Sequence, residues 1–391
     1  MNCKTLFFSA IALLLISASV QASSIKRMYE VSLPVVSQET LVRRTAFEQA
    51  LIEVSVRVSG TSLAPTQLNL NQATQMVSQY RYQTMTEEEV DDYMKQTKAL
   101  LPPKYKLWIQ FDEGKIKKLL RDNSLPIWGY QRPNVLVWLA VKDGKNRYIL
   151  KKSDRSLIKD AVIRESRKRG LPIVWPEFDA TDQKLVSFID VWAKFWEPVK
   201  QASKRYPVDA MIVGQMNWAN GSWQVDWSLF LEDKTDTWQL TALDLGLLMS
   251  SGVGVATDHI SSRFAVFADS TNDAKLLVRI SDLDSVKNYA AATHYLSSLA
   301  PVKHVFASEV NQQYIDFLVE LNGDESDLKR IIALGKVLRP DTRPDTEPKS
   351  QEPAGPGVNV VNQPETKPPG STLPLPNIIK KPHILRYRMN G

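Results

Sequence analysis

Hydrophobic and polar positions along this 391-residue chain mark its elements most sharply between Val208 and Leu231. Trp223, Val225, Trp227, Leu229 and Leu231 share one parity, while Gln224, Asp226 and Ser228 share the other. That alternation is a half-buried antiparallel strand. The preceding arm is apolar on both parities at Ala210, Met211, Ile212 and Val213, as in a strand inside a sheet. Between the arms stands Asn220-Gly221, a pair that takes positive φ at both central positions of a tight turn. The pattern predicts a hairpin at the middle of the chain.

Upstream, Tyr29, Val31, Leu33 and Val35 alternate with polar residues and predict a strand, at a sheet edge because of Pro34. Val42, Ala46, Ala50, Val54 and Val58, widened by Phe47 and Leu51, predict a helix with Ser37 as N-cap and Gly60 as its stop. Arg43, Arg44, Glu48, Glu53 and Arg57 fall on its solvated side. A second helix is expected over Asn71 to Tyr82, then an acidic surface segment around Glu87 to Asp92. Leu107, Ile109 and Phe111 form a strand, and Asp112 caps a short helix. Residues 23–133 thus read as a small α+β domain.

Residues 134–270 read as a central α/β domain. Val135 to Val141 is a buried strand, and Ser153 or Asp154 caps a helix that Gly170 ends. A strand at Leu171 to Trp175 and helices through Leu185 to Trp196 and Val199 to Arg205 lead into the hairpin. A third arm at Trp238 to Leu243 and a helix from Leu245 to Phe267 close the unit. Its order, β-α-β-α-β-β-β-α, implies a mixed sheet with helices on one or both faces. Residues 271–338 read β-α-β-β-α: a helix capped by Asp282 or Asp284, a hairpin of Val302 to Val310 with Tyr314 to Leu321, and a helix capped by Asp324 or Ser326. Such a unit resembles half of a ferredoxin-like sheet and needs a cover for its open face.

Half of the chain's 22 prolines lie from residue 339 onward, with few large apolar groups to offset ordering entropy. Residues 339–391 are therefore expected to be a disordered Pro-rich tail, whose apolar and basic end has the composition of a docking motif. The fold class is α+β, with two or three small mixed-sheet domains.

At the other end, Lys4, the apolar run Leu6 to Ile16 and Val20-Gln21-Ala22 make residues 1–22 a secretory signal peptide. The run is shorter than the ~20 residues a bilayer span needs. Cys3, the single cysteine, falls in the removed part, so the mature chain relies on its core rather than on disulfides. The expected location is the periplasm, with secretion beyond the outer membrane a further outcome. A net charge of +6 fits anionic envelope polymers and is far below a nucleic-acid-binding balance.

Two features invite a functional reading. Seven tryptophans cluster between Trp175 and Trp238; most share parity with core positions, leaving Trp196 and Trp218 as exposed candidates for stacking. Along the helix after residue 153, Arg164, Arg167, Lys168 and Arg169 form a basic run able to dock an acidic partner. Lys380, Lys381, Arg386 and Arg388 in the tail complete the candidate partner-binding set. No Gly-x-Ser-x-Gly, His-Glu-x-x-His, Walker loop or cysteine pair is present, and no catalytic, cofactor or metal residues are expected. Asp258, His259, Ser261 and Ser262 fit within about one helical turn, too close together to converge as a triad.

Arg43-Arg44-x-Ala46 through Arg57-Val58-Ser59-Gly60, Pro133-Asn-Val-Leu-Val-Trp-Leu139, Arg169-Gly-Leu-Pro172, Val208 to Gly214 and Trp223…Trp227 resemble blocks of a secreted proteobacterial family, domain of unknown function 2066, over Ser24 to Leu338. That resemblance implies no activity and no catalytic residues. In element order the centre is similar to small α/β domains of outer-membrane lipoprotein activators and the curli secretion lipoprotein. The expected function is a non-enzymatic interaction or assembly module for an envelope protein or polymer. The alternative is a glycan- or cell-wall-acting enzyme using carboxylates such as Asp179, Asp182 or Asp226.

Overall fold

In the computed structural model, the described residues are 27–97, 99–267, 274–311, 313–343 and 384–390. The expected signal peptide lies outside them. The described chain is an α+β structure built on three sheets.

The first sheet has the order β1-β3-β2, all antiparallel. Its elements are β1 (Glu30–Val35), α1 (Thr40–Ser59), α2 (Ala64–Gln67), α3 (Ala73–Met76), β2 (Val77–Thr84), α4 (Glu87–Thr97), β3 (Tyr105–Phe111) and α5 (Glu113–Asp122). β1 is at the edge, where Pro34 is tolerated. The buried face of α1 carries Ala46, Phe47, Ala50, Leu51, Val54 and Val58, the predicted stripe. The helix expected over Asn71 to Tyr82 is corrected to one turn, α3, followed by a strand. Tyr80 and Tyr82 pair with Ile109 and Leu107 and pack edge-on against Phe47 and Tyr105, so cross-strand packing overrides the local helical period. The acidic run forms α4. α1 starts after Glu39 rather than at Ser37.

The second sheet runs β5-β4-β7-β8-β9, with β6 also on β4. Its members are β4 (Val135–Asp143), β5 (Asn146–Ile149), α6 (Leu157–Arg169), β6 (Ile173–Val174), α7 (Ala180–Leu185), α8 (Phe188–Trp192), α9 (Trp196–Ser203), β7 (Ala210–Ala219), β8 (Ser222–Leu231), β9 (Lys234–Ala242) and α10 (Leu245–Phe264). β4 and β7 are parallel neighbours covered on both faces: α6 and α10 pack on one side, α8 and α9 on the other. This explains why both strands are apolar on both parities. Asn220 and Gly221 take φ of 54° and 76°, as the hairpin requires. Ser156, not Ser153 or Asp154, caps α6, its hydroxyl accepting the Lys159 N–H at 3.2 Å, the spacing an N-cap bond needs.

The indole of Trp227 lies in a slot made by two glycines. Gly214 is its cross-strand partner, and Gly252 of α10 faces the indole nitrogen. A Cβ on either would come within 2.6 Å of the ring. Gly252 therefore serves helix-to-sheet packing, whereas a Cβ at Gly254 would meet nothing within 4 Å.

The third sheet has the order β11-β12-β10-β14-β13, from β10 (Lys275–Ser281), α11 (Val286–Ser298), β11 (Val302–Val310), β12 (Tyr314–Leu321), α12 (Glu325–Leu334), β13 (Leu338–Pro340) and β14 (Ile384–Met389). Ser285 caps α11 in place of Asp282 or Asp284, and Asp324 caps α12 as predicted. β14 corrects the expected extent of the tail. It runs parallel to β10 and antiparallel to β13, burying Leu385 and Tyr387 while Arg386 and Arg388 face outward. That period of two is a strand signal which its Pro-rich context obscures. Residues 344–383, the rest of the expected tail with Lys380 and Lys381, lie outside the described residues.

Gly214→Ala should destabilise the protein by about 1–3 kcal/mol through overpacking against Trp227 and Leu139. The check is urea unfolding, with a lowered midpoint and an unchanged slope as the expected result.

Candidate functional site

The first and second units meet where α1 and α6 end. Both helices stop at a glycine in the left-handed conformation, Gly60 and Gly170, and both finish on arginine-bearing turns. Their terminal carbonyls lack helical partners and carry the negative end of the helix dipole. Three arginines satisfy them across the junction. Arg57 of α1 donates Nε–H to the Lys168 carbonyl at 2.9 Å. Arg169 of α6 donates to the Gly60 carbonyl at 3.2 Å and to the Asp258 carboxylate. Arg132, on the segment joining the units, bonds both ends.

Arg132 is 4% exposed and has no carboxylate among its bonded partners. Its five N–H groups reach five carbonyls: Gly129 at 3.0 Å, Arg169 and Gly170 at 3.0 Å each, Arg57 at 2.6 Å and Trp128 at 2.9 Å. The guanidinium also lies 3.9 Å from the centre of the Trp128 ring. Burial, and then the charge of Arg57, pull its pKa well below the ordinary arginine value. The five carbonyl dipoles and the indole face oppose that pull, and a guanidinium so bonded stays charged.

Beside this junction opens a cleft of about 1160 Å³ between β1, α1 and α6. Val31 and Leu33 of β1 and Ile163 of α6 supply apolar lining, and Trp108 and Tyr93 supply aromatic lining. Arg164, Arg167 and Lys168 of α6 line it as well, and all three are exposed. β1 is a blunted edge here. The Tyr29 and Val35 carbonyls bond toward β3, so alternation turns Glu30, Ser32 and Pro34 outward. Arg57 occupies the Glu30 carbonyl at 2.8 Å and Pro34 has no N–H, which disfavours addition of another strand.

Glu53, also in the cleft wall, meets Arg57 at 2.5 Å. Burial raises the Glu53 carboxyl above its ordinary range despite Arg57, and burial lowers Arg57 despite Glu53. Both shifts oppose ionisation, so desolvation outweighs attraction within the pair. Glu53 and Arg57 are corrections to the expected solvated face. Their i, i+4 spacing beside the apolar stripe was the sequence signal for a joined pair.

Of the sequence-predicted partner residues, Arg164, Arg167 and Lys168 gather in the cleft. Arg169 belongs to the buried junction. Trp196 is half-buried, 5.1 Å from the Phe230 ring. Trp218 is 46% exposed at the β7–β8 turn, and Arg386 and Arg388 are on β14; none of these lines the cleft. The carboxylates offered for glycan chemistry have structural work. Asp179 caps α7 and is held at about 2 by Arg205, which also bonds Asp182 at 3.1 Å. Asp182 is fully buried and accepts the Tyr206 hydroxyl, whose own pKa is pushed up to about 12 by burial and by that bond. Asp226 sits 3.8 Å from Lys194. His259 stacks on Trp238 at 5.6 Å, and Ser261 donates to the Gly60 carbonyl at 2.8 Å. Among the described residues, no three His, Cys, Asp or Glu side chains are placed to hold a metal.

A family model described as Domain of unknown function (DUF8605) matches residues 22–129, the segment that supplies β1 and α1. No curated protein and no solved structure matches the chain.

Arg132→Met should cost about 3–5 kcal/mol, because five carbonyls lose a charged donor in a buried junction; chemical denaturation measures it. The second expected outcome concerns pH. A raised carboxyl pKa means the folded state binds the Glu53 proton more tightly than the unfolded state. That stability is full below the ordinary glutamate value and is lost as pH rises through the raised one. Glu53→Gln should therefore flatten the decline in melting temperature above the ordinary glutamate range, read by thermal melts across pH.

Proposed function

We propose that the chain is an exported, non-enzymatic interaction module of the bacterial envelope, and that the cleft between β1 and α6 is its binding site. The occupant is an acidic, partly apolar segment of an envelope protein or polymer. One observation carries this reading: an open cleft of about 1160 Å³ joins an apolar wall to Arg164, Arg167 and Lys168. Apolar walls with a few placed polar groups are the usual composition of a binding pocket, and a basic rim adds steering of an anionic partner. Three carboxylates also line the cleft, Glu30, Glu53 and Asp160; Glu53 is already committed to Arg57 and Glu30 accepts the Trp108 indole N–H, leaving the balance of the lining basic. Export to the periplasm rests on the signal-peptide pattern of residues 1–22. The resemblance to the domain of unknown function 2066 family supports the same setting.

The test places a photo-crosslinking amino acid at Ile163 or Leu33 in cells. A discrete adduct with an exported component is the expected result. Combined Arg164→Glu, Arg167→Glu and Lys168→Glu should weaken it about tenfold or more, given three reversed charges at a partly desolvated rim. An adduct of unchanged yield in that variant overturns the reading, and so does no adduct at either position.

A further inference from the structure

Away from the cleft, three chain reversals meet at one end of the central sheet. β4 and β7 are parallel, with Lys142 beside Asn217, so both strands finish there. β4 turns through Asp143-Gly144 into β5, and β7 through Asn220-Gly221 into β8. β9 finishes there too, because Ala242 pairs with Trp223, and α10 starts from Asp244.

This end is apolar where water should favour polar groups. Leu243 is 77% exposed, Leu247 60% and Trp218 46%. Trp218 meets the half-buried Trp223 edge-on at 5.3 Å. The β4–β5 reversal adds Lys142, Lys145 and Arg147, with Lys142 6.0 Å from the Trp192 ring centre. Two carboxylates share this end: Asp143 in the turn, and Asp244, which accepts the Leu247 N–H as the α10 cap. Large exposed apolar groups clustered on a surface mark a contact with something less polar than water.

We propose that this end of the sheet docks shallowly on a phospholipid surface. Leu243 projects from a bend, Leu247 from the first turn of a helix and Trp218 from the turn-side end of β7, none of them lining a described cavity. That shape enters a fluid interface but offers a rigid protein partner little to enclose. Leucine side chains reach the acyl boundary, tryptophan settles at headgroup depth, and the three cations meet anionic headgroups. No helix among the described residues is long and apolar enough to cross a membrane, so contact through this end is peripheral. The cleft residues are separate, and failure of either proposal leaves the other standing.

The experiment sediments the chain from residue 23 onward, without the expected signal peptide, with large unilamellar vesicles of phosphatidylcholine, with and without phosphatidylglycerol. The wild type should sediment with both and more strongly with phosphatidylglycerol. Trp218→Ser/Leu243→Ser/Leu247→Ser should lower the partition coefficient at least about tenfold on both, since each lost apolar insertion is worth that order. Its circular dichroism and urea midpoint should match the wild type, and Leu243→Ser alone should give a smaller drop. Lys145→Glu/Arg147→Glu should remove the phosphatidylglycerol preference and leave phosphatidylcholine binding in place. Wild type remaining in the supernatant with both vesicles overturns the proposal. So does a triple variant that sediments like the wild type, or one that differs only by losing self-association.

Discussion

Two helix ends pointed at one another would repel, because each presents a ring of unsatisfied carbonyls at its negative pole. Arg132 makes that arrangement stable. Its planar fork spends every donor on carbonyls from α1, α6 and the segment between them, while Arg57 and Arg169 cross-link the same two ends reciprocally. A lysine has three donors in a compact head and could not span this set. The first two units are therefore joined by backbone dipoles gathered on guanidinium groups as well as by apolar contact.

The cleft follows from that junction. With α1 and α6 pinned at their C-terminal ends, the outward edge of β1 faces the exposed flank of α6 across open space. The arginines that stabilise the joint are buried, whereas Arg164, Arg167 and Lys168, just before Arg169 on α6, stay exposed. One basic run thus divides into a structural residue, Arg169, and binding candidates, Arg164, Arg167 and Lys168. Burial, not residue type, separates the two roles.

The tryptophans divide in a similar way. Trp227 is locked between Gly214 and Gly252, whereas Trp218, on the same face of the same hairpin, stands next to the turn and stays exposed. Position along the hairpin decides which indole is core. The third sheet adds a lesson about chain order: its closing strand β14 arrives from the very end of the chain, beyond residues 344–383, and sits between β10 and β13.

Much of the architecture was legible in one dimension. Alternation from Trp223 to Leu231, the Asn220-Gly221 turn, the stripe of α1 and the doubly apolar β4 are local patterns set by side-chain periodicity, and each formed as read. The strand at Val77–Thr84 and the strand at Ile384–Met389 were not read, because their partners β3 and β10 lie distant in sequence and cross-strand packing outweighed local propensity. The candidate site was legible only in part. Its charges stood in one helical run, but Glu53 and Arg57 looked solvated, and Arg132 carried no signal. Those assignments depend on which surfaces meet, and a buried guanidinium is stable only where tertiary structure brings carbonyls from separate segments to all its donors.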